Sequence, residues 1–241
     1  MLRRGPRAAS GRRSRRVALL LGWPVGLAHV FWRYLWRTTP MHRSEVDGDA
    51  ADLPGPAPAP VHDGDVQAAE DGIGPLWHRR FTVVVDGVDA APEGIIEPLA
   101  RDPNWAVPAD LAVFEKTHGR TGVLAVGDEF VVRMPGPWDG PVRVVACGPT
   151  SFRLATLRGH LEAGQIEFRA RGVDGDLHME IEAWARAGDR LAHLLYNHLR
   201  LAKEIQLNLW IETCLRVALR HGGRARGGVW VRTRRVADPA L

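Results

Sequence analysis

Cysteine is scarce in this chain of 241 residues, where Cys147 and Cys214 are the only two. Two cysteines are too few for a disulfide framework, and neither belongs to a CxxC or Cys/His spacing that would bind zinc. Free cysteines often pack as small hydrophobic side chains, so we expect both to be buried, Cys147 in a strand and Cys214 in a helix. The sequence predicts no metal site of this type.

Nucleotide-binding and hydrolase motifs are also missing. The chain has no P-loop, no GxGxxG after a strand, no GxSxG and no HExxH. Its glycine-rich stretch GGRARGG, residues 222–228, follows a predicted helix, so we interpret residues 223–241 as a basic tail. Nucleic acid is a disfavoured partner for this tail, because only Trp230 could stack on a base. We expect no cofactor.

The first sixteen residues lack acidic side chains, although they carry seven arginines. The net charge of the whole chain is only +4, so the remainder is slightly acidic and is not a general binder of nucleic acid. We interpret residues 1–16 as a basic arm whose charge could meet anionic lipid or nucleic acid. The segment that follows it favours lipid.

An apolar, tryptophan-rich segment occupies residues 17–43, and its sixteen residues from Val17 to Trp32 are apolar apart from His29. A membrane-spanning helix needs about 20 such residues, whereas tryptophan and arginine near its end suit a bilayer interface. We predict an apolar N-terminal anchor helix that brings residues 1–43 to the membrane surface. A helix docked on the protein's own core and a cleaved export signal are open alternatives.

The cellular location of the rest of the chain depends on how residues 17–43 meet the membrane. An interfacial helix would leave the protein membrane-associated on the cytoplasmic face, which is the predicted location. A single span would place the arginines inside and the domain outside, by the positive-inside rule. Residues 44–73 are rich in proline and alanine and then acidic, so they are predicted to link the anchor to a domain at residues 74–222.

Within the domain, apolar and polar residues alternate in short runs, as they do in strands. A strand is predicted at His78–Asp86, and two short helices follow at residues 91–103 and 107–119, each with an early proline. Five closely spaced strands come next and predict an antiparallel meander. Their sequences are GDEFVVRMP, PVRVVACG, TSFRLATL, GQIEFRAR and DLHMEIEAWAR.

A long amphipathic helix is predicted from Asp189 to Gly222. Its apolar face is continuous as far as Leu209 and then rotates, so that Trp210–Ala218 lies largely on the formerly polar side. We expect the first five turns to pack on the sheet and the last three to need another partner. The apolar N-terminal segment, a membrane surface, a second copy of the chain or another protein could provide it.

This order of elements predicts an α+β fold of the helix-grip type, in which a curved antiparallel sheet wraps a long C-terminal helix and leaves a cavity between them. The order is supported by periodicity, whereas the named fold is an analogy. The apolar N-terminal helix would be an addition to it.

Five stretches within residues 74–222 carry a family resemblance: GPLWHRRFTV, FEKTHG, GDEFVVRMPGPWDGPVRVV, TSFRLATLRGHLEAGQIEFRAR and LAKEIQLNLW. They are similar to a bacterial group within the family called domain of unknown function 1990. WRYLWRTTPMHR at residues 32–43 also resembles the lead-in of longer actinobacterial members.

The resemblance implies a helix-grip domain related to the START, polyketide-cyclase and plant pathogenesis-related type-10 proteins. Most of those proteins bind or transport apolar small molecules, and some are cyclases or hydrolases. The family implies no established reaction, so no catalytic residue can be transferred to this chain.

The densest group of ionisable residues lies on the hairpin predicted at residues 164–186. With GVDG at residues 172–175 as its loop, Glu167 would face Glu180 on a polar outer face, while the inner face is apolar. We expect that outer face to be solvated and balanced by arginine. Buried opposed carboxylates would instead raise each other's pKa and form an acid/base pair, so a functional carboxylate site is an open alternative.

His160 and Glu162 stand apart, because they lie in a turn bracketed by Gly159 and Gly164 rather than in the strand pairing. Polar groups at the mouth of an apolar cavity commonly orient a ligand. An ordinary surface turn is the competing interpretation. If the protein is an enzyme of the cyclase or hydrolase type, its weak catalytic candidates are His160, Glu162 and Glu167.

We expect the inner wall of the fold to bind a hydrophobic small molecule or lipid near a membrane. One alternative is an enzyme of the cyclase or hydrolase type. The other is a structural module that binds a protein partner or a second copy of the chain through Trp210–Ala218. The predicted ligand-binding residues are Phe81, Phe130, Val132, Val144, Phe152, Leu154, Ile166, Phe168, Met179, Leu195, Ile205 and Leu209.

Overall fold

The computed structural model describes residues 41–55, 64–134, 139–189 and 201–237, with side chains from residue 206 onward in the last range. The strands are β1 (Met41–Asp47), β2 (Ile73–Asp86), β3 (Val113–His118), β4 (Glu129–Arg133), β5 (Asp139–Cys147), β6 (Ser151–Thr156), β7 (Glu162–Val173), β8 (Asp176–Ala187) and β9 (Arg224–Val236). The α-helices are α1 (Pro92–Arg101) and α2 (Leu201–Arg220).

All these strands form one large curved sheet in the order β1-β9-β2-β8-β7-β6-β5-β4-β3. Only β1 and β9 pair in parallel, and every other neighbouring pair is antiparallel. Helix α2 packs across β9, β2 and β8 on one face, which we call the inner face, and α1 packs on β7 beside it. A mostly antiparallel sheet gripping a C-terminal helix confirms the helix-grip α+β fold.

Six strands predicted from alternation are confirmed as β2 and β4 to β8. Their apolar residues pack on the inner face, where Phe81, Val144 and Met179 are fully buried. Burying a side chain of this size stabilises the fold by about 1.5–3 kcal/mol. Because a strand's side chains alternate between faces, the remaining residues of the same strands carry the charge of the outer face.

The register of the β7–β8 hairpin differs from the prediction by two residues. Glu167 pairs with Glu182 rather than with Glu180, and Arg169 pairs with Glu180. The reason is a tighter turn than GVDG, because Asp174 and Gly175 alone form it, with φ of 52° and 84°. A shift of two residues leaves each side chain on its predicted face.

The helix predicted at residues 107–119 is wrong. Residues 109–111 form a single turn after Pro108, and β3 follows and pairs with β4. Asn104 fixes the start of β3, since its side chain accepts from the N–H of Phe114 at 2.8 Å and donates to the carbonyl of Phe114 at 2.9 Å. These bonds hold the backbone extended, which a helix could not accommodate.

The basic tail predicted from residue 223 is also wrong, because β9 occupies most of it and inserts between β1 and β2. Val229 and Val231 point to the inner face and are fully buried there. The rotated apolar arc of α2, Trp210–Ala218, therefore finds its partner inside the chain, and Cys214 and Val217 have no exposed surface. That arc is unavailable as the predicted contact with a second copy or another protein.

The predicted linker contains ordered structure. Residues 44–47 complete β1, Ala50–Asp52 forms a 3₁₀ turn capped by Asp49, and β2 begins at Ile73. Val66 is buried, and the backbone of Gln67 bonds to Thr156. The linker prediction is therefore wrong for these parts, since side chains of the segment pack on the sheet.

The N-terminal predictions fall mostly outside the described residues. Of the predicted anchor, only residues 41–43 are described, and they lie in β1. No helix in the described ranges combines the length and hydropathy needed to cross a membrane. Among the cysteines, Cys214 is buried as predicted, while Cys147 is exposed at the end of β5, so its predicted burial is wrong.

Candidate ligand-binding site

The predicted inner wall is mostly a packed core. Leu195 lies outside the described residues, and so does the side chain of Ile205. The predicted wall residues that are buried in that core are Phe81, Phe130, Val132, Val144, Phe152, Leu154, Phe168, Met179 and Leu209.

Ile166 is the exception on this wall. It lies in the middle of β7, between Leu154 of β6 and Ala183 of β8, and both neighbours are buried. Ile166 itself is only partly buried although it faces the interior. The inner face is therefore less tightly covered above Ile166 than above the residues on either side of it.

A chain of polar side chains crosses the inner face next to Ile166. We call it the polar bar, and it consists of Arg79 on β2, Gln206 on α2 and Glu162 on β7. The Arg79 guanidinium donates to the Gln206 side-chain oxygen. The Gln206 amide donates to both carboxylate oxygens of Glu162, at 2.9 and 3.1 Å. The three side chains thereby join the sheet to the helix across the interior.

Arg79 is the least expected member of the bar. It is in phase with Phe81 and Val83 along β2, so it points to the inner face, and only 5% of it is exposed. Its guanidinium also lies 5.8 Å from the ring centroid of Trp77. Buried arginine is rare unless it is paired, and here the opposite charges of Arg79 and Glu162 bracket the neutral amide of Gln206.

Sequence reasoning missed Arg79 and Gln206. The signal for Arg79 is its even spacing from Phe81, which places both side chains on the same face of a strand. Gln206 follows Ile205 on the predicted helix, and the pattern of apolar residues assigned it no contact. Glu162 was predicted as a polar group near the cavity mouth, and it does face the interior, although β7 rather than a turn carries it.

Gly164, one of the two glycines of the predicted hinge, lies inside β7, and a larger residue would clash there. Its φ is 154°, and a Cβ at this position would come within 1.9 Å of the Trp184 carbonyl oxygen. The Gly164 N–H donates to Thr156 Oγ1 at 2.9 Å. The Gln67 amide donates to the carbonyl oxygens of His160 and Glu162 at 3.2 and 3.1 Å. The backbone of the turn is thus held by the side chains of Gln67 and Thr156.

His160 is part of that turn. Its Nδ1 accepts the backbone N–H of Glu162 at 2.8 Å, and a Cβ on Gly140 would lie 2.9 Å from its Nε2. Burial lowers the pKa of His160 to about 4, against an opposing effect of the hydrogen bond to the Glu162 backbone. The imidazole is therefore neutral at pH 7, and a group with so low a pKa is a weak general base there.

Glu167 lies on the outer face with Glu180 and Glu182, and all three carboxylates are buried. Arg153 donates to Glu167 at 2.6 Å. Arg169 donates to Glu180 at 2.9 Å and to Glu182 at 2.8 Å. The predicted arginine balance is present, whereas the predicted solvation is wrong because the long arginine side chains lie over the carboxylates.

His78 connects this outer network to the N-terminal segment. Its Nε2 lies 2.8 Å from Glu182 and its Nδ1 lies 3.0 Å from Asp52. Burial alone would raise the pKa of Glu182, but hydrogen bonds from His78 and Arg80 and the charges of Arg80 and Arg169 lower it to about 2. Both ring nitrogens of His78 are occupied by carboxylates, so the network fixes the segment to the sheet.

His160, Glu162 and Glu167 do not form one catalytic group in this arrangement. Glu167 is on the opposite face of the sheet from Glu162. The ring of His160 bonds to the backbone of Glu162, whose carboxylate accepts from Gln206. Catalytic roles for these residues stay predictions.

Trp210 carries an unexpected feature of the inner face. It lies one helical turn after Gln206 on α2 and is only 6% exposed. Its ring packs edge-on against Phe168, with ring centroids 5.4 Å apart. Its indole Nε1–H is buried and has no hydrogen-bond acceptor among the described residues. Leaving a buried donor unpaired costs about 1–3 kcal/mol.

The fold and its inner polar site define a helix-grip domain with a candidate small-molecule site. Residues 103–213 match the family model described as domain of unknown function (DUF1990), so the resemblance predicted from the sequence is confirmed. No curated protein matches the chain in sequence.

Solved structures of low sequence identity are similar to the chain. Ara h 8.0201 is 10% identical, with 61% of this chain and 97% of that chain covered and a TM-score of 0.41. The di-domain ARO/CYC StfQ from the steffimycin biosynthetic pathway is 10% identical, with 64% and 53% covered and a TM-score of 0.43. Ms6760 from Mycobacterium smegmatis is 16% identical, with 65% and 95% covered and a TM-score of 0.39. These similarities transfer no ligand or activity to this chain.

Proposed function

We propose that this protein binds an apolar small molecule on its inner face, with the molecule's body over Ile166 and its head group at the polar bar. The observation that supports the proposal is the combination of a partly exposed Ile166 on an otherwise packed wall with the polar bar beside it. Small-molecule sites in proteins are mostly apolar, with a few polar groups that orient the ligand.

The charges of the polar bar indicate the kind of head group. Arg79 and Glu162 have opposite charges, and Gln206 connects them. An ionised ligand group would be attracted by one of these two charges, repelled by the other, and would have to lose its hydration. A neutral group that both donates and accepts hydrogen bonds, such as a hydroxyl or an amine N–H, avoids the repulsion and costs less to desolvate.

Binding of the neutral fluorescent probe N-phenyl-1-naphthylamine tests this proposal. We expect the full chain to bind one equivalent with enhanced probe fluorescence. Ile166→Trp should weaken binding at least about 10-fold, because the larger side chain fills the space above β7. Val123→Trp is the matched control, since Val123 is 51% exposed and lies in the loop between β3 and β4. Equal binding by both variants, or no binding by the wild-type chain, would contradict the proposal.

The natural ligand can be sought directly. Native mass spectrometry of the chain purified from its own host should show a bound mass that organic solvent extracts. The same preparation of Ile166→Trp should carry much less of it. A wild-type chain that is always empty and also rejects the neutral probe would rule out the binding function.

We further propose that the protein binds its ligand while tethered to a membrane. The seven arginines of residues 1–16 and the apolar residues that follow support a membrane tether. Flotation of the full chain with vesicles should increase when phosphatidylglycerol replaces part of the phosphatidylcholine, and replacing the seven arginines by glutamine should abolish the increase. Failure to float with either vesicle would remove the membrane from the proposal and leave ligand binding untouched.

A further inference from the structure

Trp210 offers a hydrogen-bond donor that no part of the described structure uses. Its indole ring is more than nine-tenths buried, and its Nε1–H has no acceptor among the described residues. Buried polar groups in native proteins nearly always have a partner, so an unpaired one calls for an explanation. A bound ligand that brings an acceptor would be such a partner.

The position of Trp210 places it at the proposed binding strip. Phe168, which its ring contacts, is two residues from Ile166 along β7, on the same face. Gln206 is one turn earlier on α2 and belongs to the polar bar. Along β7, Ile166 thus lies between the polar bar on one side and the Phe168–Trp210 pair on the other.

We propose that the Trp210 indole N–H is a second ligand contact, and that it selects apolar molecules carrying a carbonyl or ether oxygen away from their head group. The proposal rests on the proposed function, because the ligand must lie over Ile166 to reach both contacts. A molecule with a hydroxyl or amine at one end and a ketone or ether oxygen within its apolar body would satisfy both.

The chemical reason for this preference is that the described part of the surrounding core offers the indole N–H no acceptor. The aromatic neighbour Phe168 offers at most a weak N–H···π contact. An oxygen atom placed on the indole N–H therefore gains a hydrogen bond in a water-poor site. A purely hydrocarbon ligand of the same shape leaves the donor unpaired, so its affinity should be lower at that position.

The matched probes 9-fluorenone and fluorene test this inference, since they share a tricyclic frame and differ by one carbonyl group. Affinities are measured for the full chain, for Trp210→Phe and for the control Trp105→Phe, whose ring packs on His221. We expect the ratio of fluorenone to fluorene affinity to fall about 5-fold in Trp210→Phe and to stay unchanged in Trp105→Phe.

The outcomes separate the two proposals. Binding of both probes with the same affinity ratio in the wild-type chain and Trp210→Phe would overturn the role of Trp210 and leave the binding function standing. Failure of the wild-type chain to bind either probe would count against the binding function, and with it the inference.

A second measurement covers the case in which Trp210→Phe does not fold. In the ¹⁵N-labelled wild-type chain, the indole N–H resonance with nuclear Overhauser contacts to the Phe168 ring identifies Trp210. Fluorenone should move that proton downfield, whereas fluorene should not. An indole proton that is unaffected by fluorenone, and held at an upfield shift by the Phe168 ring, would overturn the inference.

Discussion

The two faces of the sheet contain charged residues in opposite arrangements. On the outer face, the carboxylates of Glu180 and Glu182 are buried beneath arginines, and each accepts from at least one guanidinium. On the inner face, the polar bar joins an arginine and a glutamate through a glutamine, and the nearby Trp210 indole N–H has no acceptor among the described residues. A compensated network holds the structure together, whereas a buried donor without an acceptor in an apolar wall is available to a ligand.

The largest expected effect is on the outer face. Glu182→Gln should lower the free energy of unfolding at pH 7 by about 3–5 kcal/mol, because His78, Arg80 and Arg169 lose a charged partner in a buried network. Denaturant unfolding measures the change. Binding of the neutral probe by the folded variant should stay within about 2-fold of the wild type.

The effect of Glu182→Gln on the free energy of unfolding should depend on pH. The pKa of Glu182 is lowered to about 2 in the fold, so its ionised form stabilises the protein above the ordinary carboxylate pKa. That stabilisation is lost as the pH falls from about 4.5 toward 2, and the difference between wild type and Glu182→Gln should shrink over the same range. A constant difference across it would contradict the assigned network.

His160 should produce a second, smaller pH effect at a higher pH. Its pKa is lowered to about 4, so the unfolded chain binds a proton below about pH 6.5 that the folded chain does not. Stability should therefore fall by about 2 kcal/mol between pH 7 and pH 5. His160→Gln should remove this slope in denaturant unfolding. An unchanged slope would show that the imidazole is not buried in the neutral form.

Disruption of the polar bar should affect binding more than stability. Gln206→Leu is expected to weaken binding of N-phenyl-1-naphthylamine about 5- to 10-fold, because the probe's amine loses a hydrogen-bond partner. Arg216→Gln is the control on the same helix, since Arg216 pairs with Glu212 away from the bar. Equal losses of affinity in both variants would show that the effect comes from the helix rather than from the bar.

The smallest effect is expected at an exposed arginine of the outer face. Arg232 is exposed, and no ion pair involves it in the part of the chain that is described. Arg232→Gln should change the free energy of unfolding by less than about 0.5 kcal/mol. A loss of more than 1 kcal/mol in denaturant unfolding would show that the arginines of this face act as one network rather than as separate pairs.

Periodicity predicted much of the sheet because alternation is a local property. The strands β4 to β8 have apolar residues at every second position and turn residues between them, so their faces were predicted correctly. The β7–β8 register was wrong because four residues were assigned to a turn that Asp174 and Gly175 make alone. The Asp-Gly pair is itself a known hairpin signal.

Strand β9 was missed although Val229, Val231 and Thr233 alternate with Trp230, Arg232 and Arg234. The glycines that follow the predicted helix and the five arginines after them indicate a basic tail rather than a strand. In the fold, those arginines lie on the outer face, and one of them, Arg234, pairs with Asp52. No local pattern predicts that a strand after the last helix inserts between two earlier ones.

Only some residues of the candidate site were predicted from the sequence, because the prediction depended on the type of each residue. Ile166 and Glu162 were named because one is apolar in an inward strand position and the other is an acid near glycines. Arg79 and Gln206 were not, because their contact joins residues 127 positions apart. The unpaired state of the Trp210 indole depends on what surrounds it in three dimensions, so it could not be read from the sequence.

Methyl NMR of the full chain with ¹³C-labelled isoleucine δ1 groups tests the central claim most directly. On titration with N-phenyl-1-naphthylamine, we expect the largest shift change among the isoleucine methyl groups at Ile166, which lies between Leu154 and Ala183 on the inner face. Saturation of the Ile166 shift at one equivalent of probe would support a single inner-face site. Shift changes spread over the surface, with Ile166 unmoved, would contradict it.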